Sequence, residues 1–124
     1  MRKQDTIAAI ATAQGEGGIA IVRISGPGAL PALGAVFTRK NGPSAWQPNR
    51  LVYGHIVEEN RVVDEAMAVY MAAPHSYTRE DVCEIHVHGG RFAAEKTLQM
   101  VLRQGVRTAE PGEFTLRAFL NGRI

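Results

Sequence analysis

A chain of 124 residues with 45% hydrophobic and 21% charged side chains has the length and balance of one soluble globular domain, able to bury about two-thirds of its unfolded surface. Its formal net charge of +2 is too small to argue for nucleic-acid binding, and its single cysteine excludes an internal disulfide and suits a reducing, cytoplasmic setting. Met1-Arg2-Lys3-Gln4-Asp5 has no apolar run behind its charges, so no signal peptide is expected; the longest apolar run, Ala66 to Ala73, is too short to span a membrane.

Thr6 to Ala13 reads as a short apolar strand, and Gln14-Gly15-Glu16-Gly17-Gly18 as a flexible turn. Ile19-Ala20-Ile21-Val22-Arg23-Ile24 is β-branched and nearly all apolar, the pattern of a central strand. Arg23 interrupts it on the face of Ile19 and Ile21. It either snorkels from the strand end or contacts an anion or polar ligand. A helix is expected over 29–37, with Pro31 in its first turn, followed by a loop over 39–50 in which Trp46 packs as a satellite residue. Leu51 to Val57 and the stretch from Val62 to Met71 read as an antiparallel hairpin about the polar turn Glu58-Glu59-Asn60-Arg61, with Met67 and Met71 as core fillers. Thr78-Arg79-Glu80-Asp81 has the form of a capping box, which predicts a short helical turn. The strongest helical pattern runs from Arg91 to Gln104, with Ala94, Leu98, Val101 and Leu102 as its stripe and Gly105 as its stop. Val106 to Ala109 is a candidate strand, Glu110-Pro111-Gly112 a turn, and Glu113 to Leu120 a last helix whose first residue suits its positive end. Arg123-Ile124 follows a stop signal without a tail, as expected of a segment cut from a longer protein. The fold expected is mixed α/β, one sheet of about five strands flanked by helices.

Chemistry concentrates between Cys83 and Gly90. Alternation puts Cys83, Ile85 and Val87 on one face of a strand and Glu84, His86 and His88 on the other, with Gly89-Gly90 turning into the long helix. The polar face is either a solvated antiparallel face or a ligand site beside a helix N-terminus; that helix lacks a Ser, Thr, Asp or Asn cap, so its first N–H groups are open to a carboxylate, a carbonyl or water. His86 and His88 alone do not complete a metal site, which needs a third or fourth ligand from His55, His75 or Asp81; no metal is expected. Cys83, on the other face, is expected to be buried rather than nucleophilic. Gly15-Glu16-Gly17-Gly18-Ile19-Ala20 fits a dinucleotide-binding pattern but runs into a strand instead of a helix, which excludes that reading. No G-x-x-x-x-G-K-[ST] phosphate loop is present, so the 124-residue chain alone is not expected to hydrolyse GTP.

Several blocks together resemble the N-terminal domain of the MnmE (TrmE) family of tRNA-modification GTPases. They are Asp5-Thr6-Ile7-Ala8, Gly17 to Gly26, Ser76 to Val82, His88-Gly89-Gly90, Arg107 to Thr115 and Arg117 to Arg123, and they cover nearly the whole chain in order. Val87 departs from the family, which often has Cys there. The resemblance implies one domain over 1–124, with a fold similar to the folate-binding domain of glycine-cleavage T-proteins. It implies binding of 5-formyltetrahydrofolate or a related tetrahydrofolate as one-carbon donor, and homodimerisation. The family's folate-contacting positions map onto Arg23, Glu84 and Arg123, where Arg123 stands in place of a common Lys; His88, Gly89 and Gly90 would wall the ligand. A carboxylate such as Glu84 accepts the adjacent N–H and amino groups of a pterin, and the arginines suit folate oxygens. In the family GTP, magnesium and potassium belong to a downstream GTPase domain absent here, and the whole protein modifies the wobble uridine of tRNA with a flavoprotein partner. A stand-alone folate-dependent aminomethyltransferase and a purely structural dimerisation module are the alternatives.

Overall fold

The computed structural model describes residues 5–12, 18–39 and 45–124. Most of the glycine-rich turn expected over 14–18 and the Gly42-Pro43 part of the expected loop lie outside them. The elements are β1 (Ile7–Ile10), β2 (Ala20–Ser25), α1 (Ala29–Val36), β3 (Phe37–Arg39), β4 (Val52–Glu58), β5 (Arg61–Met71), β6 (Val82–Val87), α2 (Gly90–Leu102), β7 (Arg107–Thr108) and α3 (Glu113–Leu120). Among the described residues the strands form one sheet in the order β3-β4-β5-β6-β2-β1-β7, antiparallel throughout except where β7 runs parallel to β1. The mixed α/β class is as expected, but the sheet has seven strands, not five. The strand with no counterpart in the sequence pattern is β3, whose three residues are too few to display a period of two; β7, only two residues long, falls within the candidate strand at Val106 to Ala109.

The sheet buries one face under α1 and α2. Val22, Ile24, Cys83, Ile85, Val87, Ala66 and Ala68 alternate onto that face and are fully buried. They meet Ala29, Ala32, Leu33 and Val36 of α1 and Ala93, Ala94, Met100 and Val101 of α2. Each large aliphatic side chain removed from water this way contributes about 1.5–3 kcal/mol. Trp46 sits at the margin of this core, its ring 5.8 Å from that of Phe37. Met67 and Met71 are only half-buried and lie on the opposite face, because the register sets Met67 beside His86 rather than beside Ile85. Glu59 and Asn60, both in the left-handed region at φ 51° and 67°, close the β4–β5 hairpin, as its twist requires.

No helical turn forms over 78–81. Thr78 is fully buried, and its hydroxyl accepts the Glu80 N–H at 3.2 Å and pairs with Ser25 Oγ at 2.7 Å. A hydroxyl bonded two residues on competes with helix formation, and Glu80 turns away to accept from Ser25 Oγ at 2.7 Å. The chain leading into α2 does find a carboxylate, supplied from a neighbouring strand. Asp64 Oδ2 on β5 accepts the N–H groups of His88 and Gly89 at 2.9 and 2.8 Å. Asp64→Ala is therefore expected to cost about 1–2 kcal/mol, with Asp64→Asn nearer wild type; urea titration checks this, and an unchanged midpoint for the alanine variant would contradict it.

Candidate functional site

The face of the sheet turned away from α1 and α2 carries the polar residues. Arg23 on β2 and Glu84 on β6 are direct register partners. Arg23 donates from Nε and approaches with Nη2, both 2.9 Å from Glu84 Oε2, while Glu84 Oε1 lies 3.1 Å from His86 Nε2. The two sheet charges thus answer each other, which removes most of the cost of placing either alone in a half-buried strand. Their side chains keep 28% and 16% of their exposure, so the pair is screened only in part.

The Arg23 guanidinium also stands 5.5 Å from the centre of the Phe114 ring on α3. Both line a cleft of about 620 Å³ whose walls also include Ala9, Ile10, Tyr77 and Pro111. That volume is typical of small-molecule sites. Tyr77 closes one side by pairing its hydroxyl with Thr115 Oγ1 at 3.1 Å. Beyond Tyr77 a second cleft of about 440 Å³ includes Arg123, whose guanidinium lies 5.4 Å from the Tyr77 ring centre. Arg23 thus faces the Phe114 ring and Arg123 the Tyr77 ring, and Tyr77 lines both clefts. His88, Gly89 and Gly90 line neither cleft; they lie past the last residue of β6, and two of their N–H groups are held by Asp64.

α3 is fixed by a buried charge. Arg117, 4% exposed, donates to Asp5 Oδ1 at 2.7 Å, to the Asp5 carbonyl at 2.6 Å and to Glu80 Oε1 at 3.1 Å. Arg107 joins the same cluster from the surface, donating to Asp5 and to Glu113. The Arg107 hydrogen bond, aided by Arg117, holds the Asp5 carboxyl far below the usual carboxylate range. Arg107 likewise lowers Glu113, whose Oε1 accepts the Glu110 N–H at 2.9 Å and braces the turn before α3. Tyr77, Phe114 and Arg117 carry no charge-pair or periodicity signal in the sequence that marks them as site residues; their place inside the matched blocks was the available clue.

Burial pushes the Cys83 thiol up to about 12, so it stays protonated near neutrality on the core face. Val87, where the family often has Cys, is fully buried on that same face. Among the described residues no three His, Cys, Asp or Glu side chains are grouped to hold a metal, and no helix is long and apolar enough to cross a membrane.

Residues 6–123 match the family model described as the GTP-binding protein TrmE N-terminus. The chain is 57% identical over 123 residues to a tRNA modification GTPase MnmE of Synechococcus sp., an alignment that spans 97% of this chain and 27% of that protein. It is 54% identical to the MnmE of Finegoldia magna over 97% of this chain and 26% of that protein, and 57% identical to the MnmE of Roseiflexus castenholzii over 100% and 27%. The chain thus spans about a quarter of the length of the curated relatives it matches. A match that runs from Thr6 to Arg123 and takes in every block around the cleft puts the chain in the family of the GTP-binding protein TrmE N-terminus.

Proposed function

We propose that this chain is the tetrahydrofolate-binding and homodimerising part of a GTPase that modifies the wobble uridine of tRNA in the cytoplasm. The observation that carries the folate reading is Arg23 in the wall of an aromatic-walled cleft, paired with Glu84, which itself lines neither cleft. The donor set fits a tetrahydrofolate. Glu84 keeps acceptor capacity on Oε1 beside His86 for a pterin donor, and accepting both the N–H and amino groups would draw Oε2 away from one of its two Arg23 contacts. Arg23 and Arg123 suit its carbonyl and carboxylate oxygens, and Phe114 and Tyr77 offer faces for a ring. Bound there, 5-formyltetrahydrofolate would supply a one-carbon unit; the chain's own residues bind and orient it. GTP hydrolysis, with its magnesium and potassium, and contacts with tRNA and a flavoprotein partner belong to the remainder of the longer protein. Relatives about four times this length favour that reading over a stand-alone aminomethyltransferase. Exposed Leu116, Phe119 and Leu120 on α3 are consistent with further chain packing there.

Glu84→Gln replaces one acceptor with a donor, so one pterin donor would face another donor. The expected loss is about 1.5–3 kcal/mol, or roughly ten- to a hundredfold in affinity for 5-formyltetrahydrofolate. Calorimetric titration of both proteins, after matching their thermal stability, is the test. Equal affinities would move the site off Glu84, and no binding by either would leave the purely structural module.

Self-association is supported by the uncovered sheet face. Tyr53, Met67, His86 and Ile21 form one row across four strands by register, and each keeps part of its surface exposed. A half-apolar sheet face is stabilised by a second layer, and an identical copy supplies one with two-fold symmetry. Sedimentation at micromolar concentration is expected to give a dimer that Met67→Glu dissociates; a wild-type monomer throughout that range would count against it.

A further inference from the structure

We propose that the second cleft, beyond Tyr77, takes the carboxylate chain of a polyglutamylated folate, with Arg79 and Arg123 as its anion contacts. The proposal rests on the folate reading above and extends it to a separate subsite. The cleft is lined by Pro74, His75, Ser76, Tyr77, Arg79 and Arg123, which is two guanidiniums and an imidazole with no carboxylate among them. Tyr77 lines both clefts, so the two adjoin across its side chain, and the exposed tail of a ligand seated in the first has the second as its neighbour.

The two arginines are held there by backbone. Arg79 sits in the left-handed region at φ 65°, which is uncommon for a long side chain and is concentrated at functional positions. It donates from Nη1 to the Asn121 carbonyl at 3.4 Å, which leaves most of its five donors uncommitted. Arg123 follows Gly122, itself at φ 83°, and its N–H is fixed on the Ala118 carbonyl at 2.8 Å. Among the described residues neither guanidinium pairs with a carboxylate, whereas Arg107 and Arg117 nearby in sequence each hold more than one. Unpaired guanidiniums facing one cleft attract carboxylate or phosphate oxygens. The ligand proposed for the adjoining cleft ends in carboxylates, and each γ-linked glutamate adds one.

The test is calorimetric titration at low salt with the mono- and triglutamate forms of 5-formyltetrahydrofolate. Wild type is expected to bind the triglutamate about fivefold tighter, the worth of one or two partly exposed ion pairs. Arg79→Asn, which keeps a residue tolerant of the left-handed backbone, is expected to bring that ratio below about twofold. Equal affinities in wild type would overturn the subsite and leave the folate reading standing. A triglutamate preference that survives Arg79→Asn would place the tail elsewhere. Binding of neither form would remove the folate reading and the subsite together. A single-stranded RNA that binds wild type but not Arg79→Asn, without any triglutamate preference, would assign these cations to nucleic acid and overturn the proposal.

Discussion

Arg117→Met is expected to destabilise the fold by about 3–5 kcal/mol, the usual result of removing one partner from a buried ion pair. Methionine keeps much of the side-chain volume, so the loss is electrostatic. Glu80, 12% exposed at its side chain, would keep Ser25 but lose its counter-charge, and the Asp5 carbonyl would lose its donor. Arg107→Met is the informative contrast. Arg107 contacts two carboxylates to the three of Arg117, and it is 41% exposed and screened by solvent, so about 1 kcal/mol or less is expected. Urea unfolding of the three proteins at pH 7 measures both, and a cost below about 1 kcal/mol for Arg117→Met would refute the anchoring role. Acid adds a second reading. Asp5 and Glu113 have carboxyls lowered in the folded state, so their contribution is complete above the unfolded values of 3.8 and 4.5 and drains away as pH falls through the lower folded values. Wild type should therefore lose stability between about pH 5 and pH 2 more steeply than Arg107→Met does.

Gly26→Ala is expected to cost about 3–5 kcal/mol, from two independent causes. The backbone at Gly26 has φ 135°, a region essentially closed to side chains. A Cβ there would also stand 2.7 Å from the Thr6 Cα and 3.0 Å from the Asp5 carbonyl oxygen, atoms of backbone that cannot rotate aside. Relief would require shifting residues 5–6, the segment that Arg117 and Arg107 clasp. The variant should thus lose thermal stability. Gly34→Ala, on α1 with open space at the added Cβ, should not. Similar melting temperatures for the two variants would show that the close approach is relieved without strain.

Arg23 and Glu84 mark what the sequence could and could not disclose. Alternation in Cys83-Glu84-Ile85 placed Glu84 on a polar face, and parity placed Arg23 on the face of Ile19 and Ile21 in a nearly all-apolar strand, because a strand's period is local. That the two are register partners depends on strand order, which brings residues 61 apart in sequence into hydrogen-bond contact. The last helix was legible to the residue, with Glu113 and Asn121-Gly122 as start and stop signals. The Thr78–Asp81 box failed because Ser25 and Arg117, distant in sequence, offered its side chains better partners than a helix did. The same holds for the entrance to α2, whose carboxylate comes from Asp64 on another strand. The resemblance makes His88-Gly89-Gly90 a ligand wall; the fold puts these residues just past Val87, the end of β6, outside the lining of both clefts. Tertiary partners, not local propensity, decided each of these.

β7 lies parallel against β1, and Arg107 reaches Asp5, 102 residues earlier in the chain. On a ribosome adding about 5–20 residues each second, that separation amounts to roughly 5–20 s during which the first strand exists without its outer neighbour. For that interval the edge of β1 is an unpaired row of amide groups, and the Asp5 carboxylate has neither of its cations. Closure waits for the stretch from Arg107 to Arg117 to clear the exit tunnel. Residues made about a hundred positions later thus secure the first strand, and a nascent chain must keep that strand from pairing with strangers until they arrive.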